Sequence, residues 1–374
     1  MSRVLEGFAG PGGFSEAARM LDLGETLGIE LNRDACATAT AAGHPRLHGD
    51  IRSVNPYQHH GVTGWVSGPP CPTYADSGKR TGRADFDIVL GGAQTLFMQP
   101  KVGDDPYTAT YREVADERSA LVLETLRLAL EIDGLEWIVA EQVPAVERIW
   151  WDFAASLATE YWESCHVVTL RADDFGLPTR RTRRFLIAAR QYTPDFTGMP
   201  IRSWWRTGRN LAIEEPASQM LTPFPRVSMA AALGWPAGVR VNTRGDRKTP
   251  GGNEFSADAP APGLTYTARS WFRTDLGKPG GYLEPWQAGL MQGFPRDYPW
   301  HGSRTSCFQQ AADSVPPLMG AAVLGVAAAV PWQDAVWGRL SELYGVEPGA
   351  PDQLRPCDTG RAPREQLDLF GTAA

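Results

Sequence analysis

Arg3 to Phe14 reads RVLEGFAGPGGF. A short apolar strand, Arg3 to Phe8, runs into a turn carrying Gly10, Gly12 and Gly13, and Phe14 to Leu21 then shows apolar residues at helical spacing. Glycine lets a backbone adopt positive φ and approach a ligand closely. The strand, turn and helix put those glycines at the carboxyl end of a strand, where open α/β sheets bind ligands. Glu30 stands twenty residues after Gly10, closing a second strand, Thr26 to Ile29. An acid there can accept hydrogen bonds from ribose hydroxyls, so the spacing suits a nucleoside-containing cofactor. It is not the dinucleotide fingerprint, because Ser15 occupies the place of the third glycine. Taken alone, the turn reads equally well as a tight bend that needs glycine. Asp50, in Gly49-Asp50-Ile51 after a third strand, can hold an adenine amino group or cap a turn.

Working outward, the alternation continues. The spacing predicts a helix over Arg33 to Ala42, a strand ending at Trp65 to Ser67, a long amphipathic helix from Tyr111 to Ile132 and a strand at Trp137 to Ala140. A helix over Val146 to Ala158 and strands at Val167 to Leu170 and Phe185 to Ala189 follow. Strands alternating with helices imply a parallel sheet covered on both faces. From Tyr192 to Tyr282 the pattern changes to Pro, Gly, Thr, Trp and Arg, as in a separate loop-rich module. Regular structure returns at Trp286 to Met291 and in an apolar helix, Leu318 to Val330, with Ser314 as its expected N-cap. The reading divides the chain into 1–190, a loop-rich 191–282, a returning segment 283–335 and a flexible tail, 336–374.

With 374 residues, one large or two domains are expected, and 43% apolar residues suffice for a sizeable core. No apolar run of 18 residues and no signal-peptide pattern is present, so neither a membrane span nor secretion is expected. Five cysteines, none in a C-x-x-C pair, suit neither a disulfide framework nor a structural zinc site. The expected setting is a reducing cytoplasm, with no metal and a monomeric chain. The net charge of −7 hides a contrast: residues 191–282 hold 11 Lys/Arg against 7 Asp/Glu. A basic middle in an acidic chain points to nucleic acid.

Three further constellations carry chemistry. Gly68-Pro69-Pro70-Cys71-Pro72-Thr73-Tyr74 puts a cysteine on a stiff, proline-rich loop directly after a strand, where a nucleophilic thiol has access. Asp76 to Arg83 follows it, glycine-hinged and basic. Glu141, in Glu141-Gln142-Val143-Pro144, ends a strand and faces the same edge; a carboxyl there can hold a ring nitrogen or cap the next helix. In Arg180-Arg181-Thr182-Arg183-Arg184, extended geometry puts Arg181 and Arg183 on one face.

Taken in order, these constellations resemble the C5-cytosine DNA methyltransferase family. Phe8 to Gly13 is similar to its cofactor motif, Pro70-Cys71 to its catalytic Pro-Cys and Glu141-Gln142-Val143 to its Glu-Asn-Val. Arg181 and Arg183 match the arginines of its Gln-x-Arg-x-Arg. Met291-Gln292-Gly293-Phe294-Pro295 and Ser314-Val315-Pro316-Pro317 resemble its last two motifs, and the likeness spans about residues 3–330. Gln142, Thr179, Ala75 and Asp313 depart from the family's usual Asn, Gln, Ser and Asn. The resemblance implies a doubly wound, Rossmann-like α/β domain that binds S-adenosyl-L-methionine, with a smaller loop-rich target-recognition domain. It implies Cys71, Glu141, Arg181 and Arg183 as catalytic groups. Phe8, Gly10, Gly12, Gly13, Phe14, Glu30, Asp50, Ile51, Pro70, Asp313 and Ser314 would contact the cofactor. Double-stranded DNA would be the substrate, its target cytosine flipped out of the stack. Competing readings are the same chemistry on RNA, an inactive DNA-binding relative and a thymidylate-synthase-like nucleotide methylase. Separately, Gln366-Leu367-Asp368-Leu369-Phe370 resembles the pentapeptide by which bacterial proteins bind the sliding clamp.

Overall fold

The computed structural model describes residues 3–70, 85–98, 108–160, 162–208, 211–215, 222–245, 253–276 and 280–353. Cys71, the loop that follows it and the clamp-like pentapeptide lie outside them. The first half alternates: β1 (Arg3–Gly7), α1 (Gly13–Met20), β2 (Glu25–Glu30), α2 (Arg33–Ala41), β3 (Arg46–His48) and β4 (Gly64–Ser67). Then come α3 (Phe86–Met98), α4 (Thr108–Glu113), α5 (Val122–Glu131), β5 (Trp137–Gln142), α6 (Glu147–Glu160), β6 (Ser164–Arg171) and β7 (Thr182–Ala189). With β8 (Ser203–Gly208) and β9 (Leu211–Glu215) they form one sheet in the order β3-β2-β1-β4-β5-β7-β6-β8-β9. From β3 through β5 the pairing is parallel, and β7 enters antiparallel between β5 and β6. This is the doubly wound arrangement the sequence implies.

Strand side chains alternate between two cores, as period-two geometry requires. Leu5, Trp65, Ile138 and Ala140 join Val89, Leu126, Trp150 and Phe153 on one face. Val4, Val66, Trp137 and Val139 join Phe14, Phe175 and Leu318 on the other.

The remaining elements are α7 (Met229–Leu233), β10 (Arg240–Asn242), β11 (Glu254–Ser256), β12 (Phe272–Arg273), α8 (Pro285–Met291), α9 (Arg304–Asp313), α10 (Pro317–Ala328) and α11 (Gln333–Tyr344). β10, β11 and β12 make a small separate sheet. Its core, with Trp235, Val241 and Trp271, is completed by Leu290 and Met291 of α8 and Phe308 and Ala311 of α9. The stretch Arg304–Ala328 has the length and hydropathy of a membrane span, yet it is two helices broken at Ser314 to Pro316 and mostly buried.

Several sequence expectations are corrected. The long helix from Tyr111 to Ile132 is α4, a 3-10 turn at Glu117–Ser119 and α5. Asp116 makes the break, its carboxylate accepting from the Arg118 amide. Residues 203–208 and 211–215, expected within the loop-rich module, are two strands of the main sheet. Ser314 is the C-cap of α9 rather than the N-cap of the next helix; its hydroxyl donates to Gln310 O at 2.8 Å, and Pro317 opens α10. The tail does not begin at 336. Helix α11 lays Val336 and Leu340 into the second core, and Leu340 lies over Gly176, whose φ of 78° needs no side chain there. Leu340→Ala should therefore cost about 2–5 kcal/mol in urea denaturation, the range for a buried leucine; a flexible tail would give almost nothing.

Candidate active site

The chain runs from β1 outward through β2 and β3, then returns to place β4 on the other side of β1. At such a reversal the crossovers diverge and leave a crevice at the carboxyl ends. The glycine turn after β1 and Gly68-Pro69-Pro70 after β4 stand on its two sides.

On the β1 side, Phe8, Gly10 and Gly12 all have positive φ, 56°, 54° and 115°. For Phe8 that is strained backbone of the kind concentrated at functional turns. A Cβ on Gly10 would meet nothing within 4 Å, so the bare backbone borders open space. A Cβ on Gly13 would lie 2.2 Å from Val315 O, which is how closely the final motif packs on the turn. Phe14 points into the second core. Glu30 bridges the turn: Oε2 accepts from Gly10 N and Oε1 from Asn32 N, both at 2.7 Å. Asp50 caps a 3-10 turn, accepting from Arg52 N at 2.9 Å, and pairs with the Arg52 guanidinium at 2.7 Å. That hydrogen-bonded pairing holds its carboxyl below the ordinary range. Ile51 beside it is buried. These residues fit a nucleoside cofactor: acids stand at the ends of β2 and after β3, and an open glycine backbone lies between them. Leu31, 64% exposed next to Glu30 and marked by no motif, adds an apolar surface at the same edge.

On the β4 side, Glu141 and Gln142 end β5. Gln142 is buried; its Nε2 donates to Pro69 O at 2.9 Å and its Oε1 accepts from Val143 N. The amide thus ties β5 to the base of the loop that leads through Pro70 to Cys71. Glu141 Oε2 would lie 3.8 Å from a Cβ on Gly68. Its Oε1 pairs with Arg183 Nε at 2.6 Å across the β5–β7 ladder.

The two arginines share a face but engage different partners. Arg181 is buried and donates to Ala312 O and, at 3.1 Å, to Asp313 O, at the carboxyl end of α9. A cation there complements the helix dipole. Arg180 N donates to Ala261 O and Ala261 N to Pro178 O, stitching 178–181 to the loop-rich region. Thr179 Oγ1 donates to Pro262 O at 3.3 Å. Arg181 therefore brings Asp313 and Ser314 to the same crevice as Glu141. Among the described residues no His, Cys, Asp and Glu side chains cluster as metal ligands.

No protein-family model matches the chain. It is 24% identical over 351 residues to the type II methyltransferase M.NaeI of Lentzea aerocolonigenes, covering 86% of this chain and 73% of that one. It is 24% identical over 330 residues to the type II methyltransferase M.AplI of Arthrospira platensis, covering 86% and 84%. Its fold is shared with solved structures of a Spodoptera frugiperda DNMT2 mutant (TM-score 0.56, 15% identity, 88% and 100% covered) and of the Entamoeba histolytica methyltransferase EhMeth (0.57, 14%, 88% and 98%).

The chain is therefore a methyltransferase, similar over most of its length to type II enzymes. Its methyl donor is accordingly S-adenosyl-L-methionine.

In this methyltransferase, burial pushes the Glu141 carboxyl above the ordinary glutamate range. Arg183 and Arg181 pull it back, and Asp313 adds to the push. A carboxyl that holds its proton more tightly when folded contributes stability below its unfolded pKa and loses it as pH rises through the folded value. In a 13C NMR titration Glu141 should therefore titrate above its free-peptide midpoint. In Arg183→Met it should move higher still, because the main restraining charge is gone. A midpoint at or below the free-peptide value would contradict this geometry.

Proposed function

We propose that this chain is a DNA (cytosine-5-)-methyltransferase acting on a cytosine flipped out of double-stranded DNA. The observation that supports the reading best is the Glu141–Arg183 pair, set at 2.6 Å beside the strand end that leads to Cys71. Cytosine C5 is a poor nucleophile. Addition of the Cys71 thiolate forms an S–C6 bond and moves the ring electrons toward C5. Glu141, with its raised proton affinity, shares a proton with ring N3 and offsets the charge that develops there. Arg183 keeps Glu141 oriented and presents a cation to the ring oxygen. S-adenosyl-L-methionine supplies the electrophilic methyl group. C5 would take the methyl as its bond to the donor's sulfonium sulfur breaks and the neutral thioether leaves; the C5 proton would then go to a base and the S–C6 bond break to release Cys71. Arg181 would serve the same chemistry from behind, by holding the α9 terminus against the crevice.

Glu30, Asp50, Ile51 and the turn from Phe8 to Phe14 would hold the donor, with Pro70, Asp313 and Ser314 closing the pocket. The basic region within 191–282 would read base edges and hold phosphates. A cytoplasmic, monomeric enzyme belongs to the same reading.

Incubation with DNA and labelled S-adenosyl-L-methionine, followed by sequencing for 5-methylcytosine, should find methylated sites, with RNA of the same sequence left unmodified. Cys71→Ser should fall to background, and DNA containing 5-fluorocytosine should trap the wild-type enzyme covalently. Full methylation by Cys71→Ser would sink the mechanism.

The terminal pentapeptide, outside the described residues, carries a second proposal. Leu369 and Phe370 would anchor the chain in an apolar pocket of a bacterial sliding clamp. A clamp pull-down should retain the wild-type chain and lose Leu369→Ala/Phe370→Ala; equal retention of both would refute the contact.

A further inference from the structure

The glycine turn gives three consecutive carbonyls to two side chains that the sequence reading did not single out. Arg46 Nε donates to Gly10 O at 3.3 Å, and its Nη2 donates to Ala9 O at 3.4 Å and to Ser15 Oγ at 3.0 Å. Ser15 in turn donates to Glu6 at 2.6 Å, and Glu6 lies 3.9 Å from the guanidinium. The Arg46 side chain is 1% exposed. From the other end of the chain, the Tyr298 hydroxyl donates to Pro11 O at 2.5 Å. Gly28 of β2 and Gly12 of the turn itself make room for this arrangement. A Cβ on Gly28 would lie 2.4 Å from Arg46 Nη1 where that side chain crosses β2. A Cβ on Gly12 would lie 2.8 Å from the Tyr298 hydroxyl. Glu30 holds the Gly10 amide at the same time, so both polar groups of that peptide are engaged.

Backbone in sparsely populated regions persists only where its surroundings over-determine it. A site held in its binding shape before the ligand arrives avoids the cost of ordering it afterwards. We infer that Arg46 and Tyr298 are positioning residues for the methyl donor, fixing the Ala9, Gly10 and Pro11 carbonyls so that the turn is preformed. The inference rests on assigning the Phe8–Gly13 turn to the cofactor.

The test is calorimetric binding of S-adenosylhomocysteine to the full chain, paired with steady-state kinetics on DNA. Losing a charged hydrogen-bonding group from a binding site should weaken the ligand about tenfold in Arg46→Met, and losing one neutral hydrogen bond a few-fold in Tyr298→Phe. The KM for the donor should rise in parallel, while kcat at saturating donor and the KM for DNA stay close to wild type, the signature of lost ground-state binding. Arg46→Lys should recover part of the affinity. Because Arg46→Met strands Glu6, the double variant Glu6→Gln/Arg46→Met keeps the result readable if the single variant does not fold; Tyr298→Phe removes one hydroxyl only. Folded variants that bind S-adenosylhomocysteine as tightly as wild type would overturn the inference, as would a fall in kcat with donor affinity unchanged. If the wild-type chain itself does not bind S-adenosylhomocysteine, the assignment of the turn falls first, and the inference with it.

Discussion

Parallel strands can be joined only by crossovers, and a sheet extended in both directions from one strand must send those crossovers to opposite faces. Here that strand is β1. Because β2 and β4 flank it, the connections leaving β1 and β4 diverge, and their carboxyl ends share a crevice. The glycine turn lies on one side of it and the proline loop on the other. β5, next to β4, ends beside the same crevice and contributes Glu141; antiparallel β7 begins opposite that end and contributes Arg183. A shift of one residue in the β5–β7 register would turn Glu141 and Arg183 to opposite faces.

The crevice is polar and its walls are apolar, so its charges must be neutralised locally. The chain does this with pairs that cross large sequence separations. Arg181 holds carbonyls of α9, and Arg183 holds Glu141. Behind the glycine turn, Glu16 of α1 accepts from His44 at 3.0 Å and from Arg339 of α11 at 3.3 Å. Helix α11 is thereby bound to α1. Removing one partner of such a set leaves a buried charge uncompensated, which is costly even where the intact pair adds little net stability.

What the sequence made legible is what has a local signature. Glycines at positive φ, a proline-bracketed cysteine and alternate arginines each announce themselves within a few residues. The period-two strands, buried on both faces, announced themselves as short apolar runs. The misreadings have physical causes too. Helix α11 mixes apolar and charged residues, and its burial depends on contacts distant in sequence, Leu340 over Gly176 and Trp337 against Phe224. Trp204 and Trp205 sit in a Pro- and Arg-rich stretch, where composition suggested loop, yet β8 pairs with β6. Arg46, Tyr298 and the partner of Arg181 were invisible because each acts on a backbone carbonyl, and a carbonyl acceptor has no residue type.

Of the four departures from the family pattern, Ala75 lies outside the described residues, and the other three can be judged by what each side chain now touches. Gln142 is one methylene longer than asparagine, yet it reaches Pro69 O and satisfies its oxygen on the next amide, so the loop base remains tied. Thr179 is wholly buried, and its hydroxyl donates to Pro262 O, which fastens the loop-rich region to the arginine segment. A longer glutamine would need space that this packing fills. Asp313 is different in kind. It places a second carboxylate within electrostatic reach of Glu141 and of both arginines, and it raises the proton affinity of Glu141 where an amide would not. Two of these substitutions preserve architecture by other contacts. The third alters the charge felt by the group proposed to hold the ring proton.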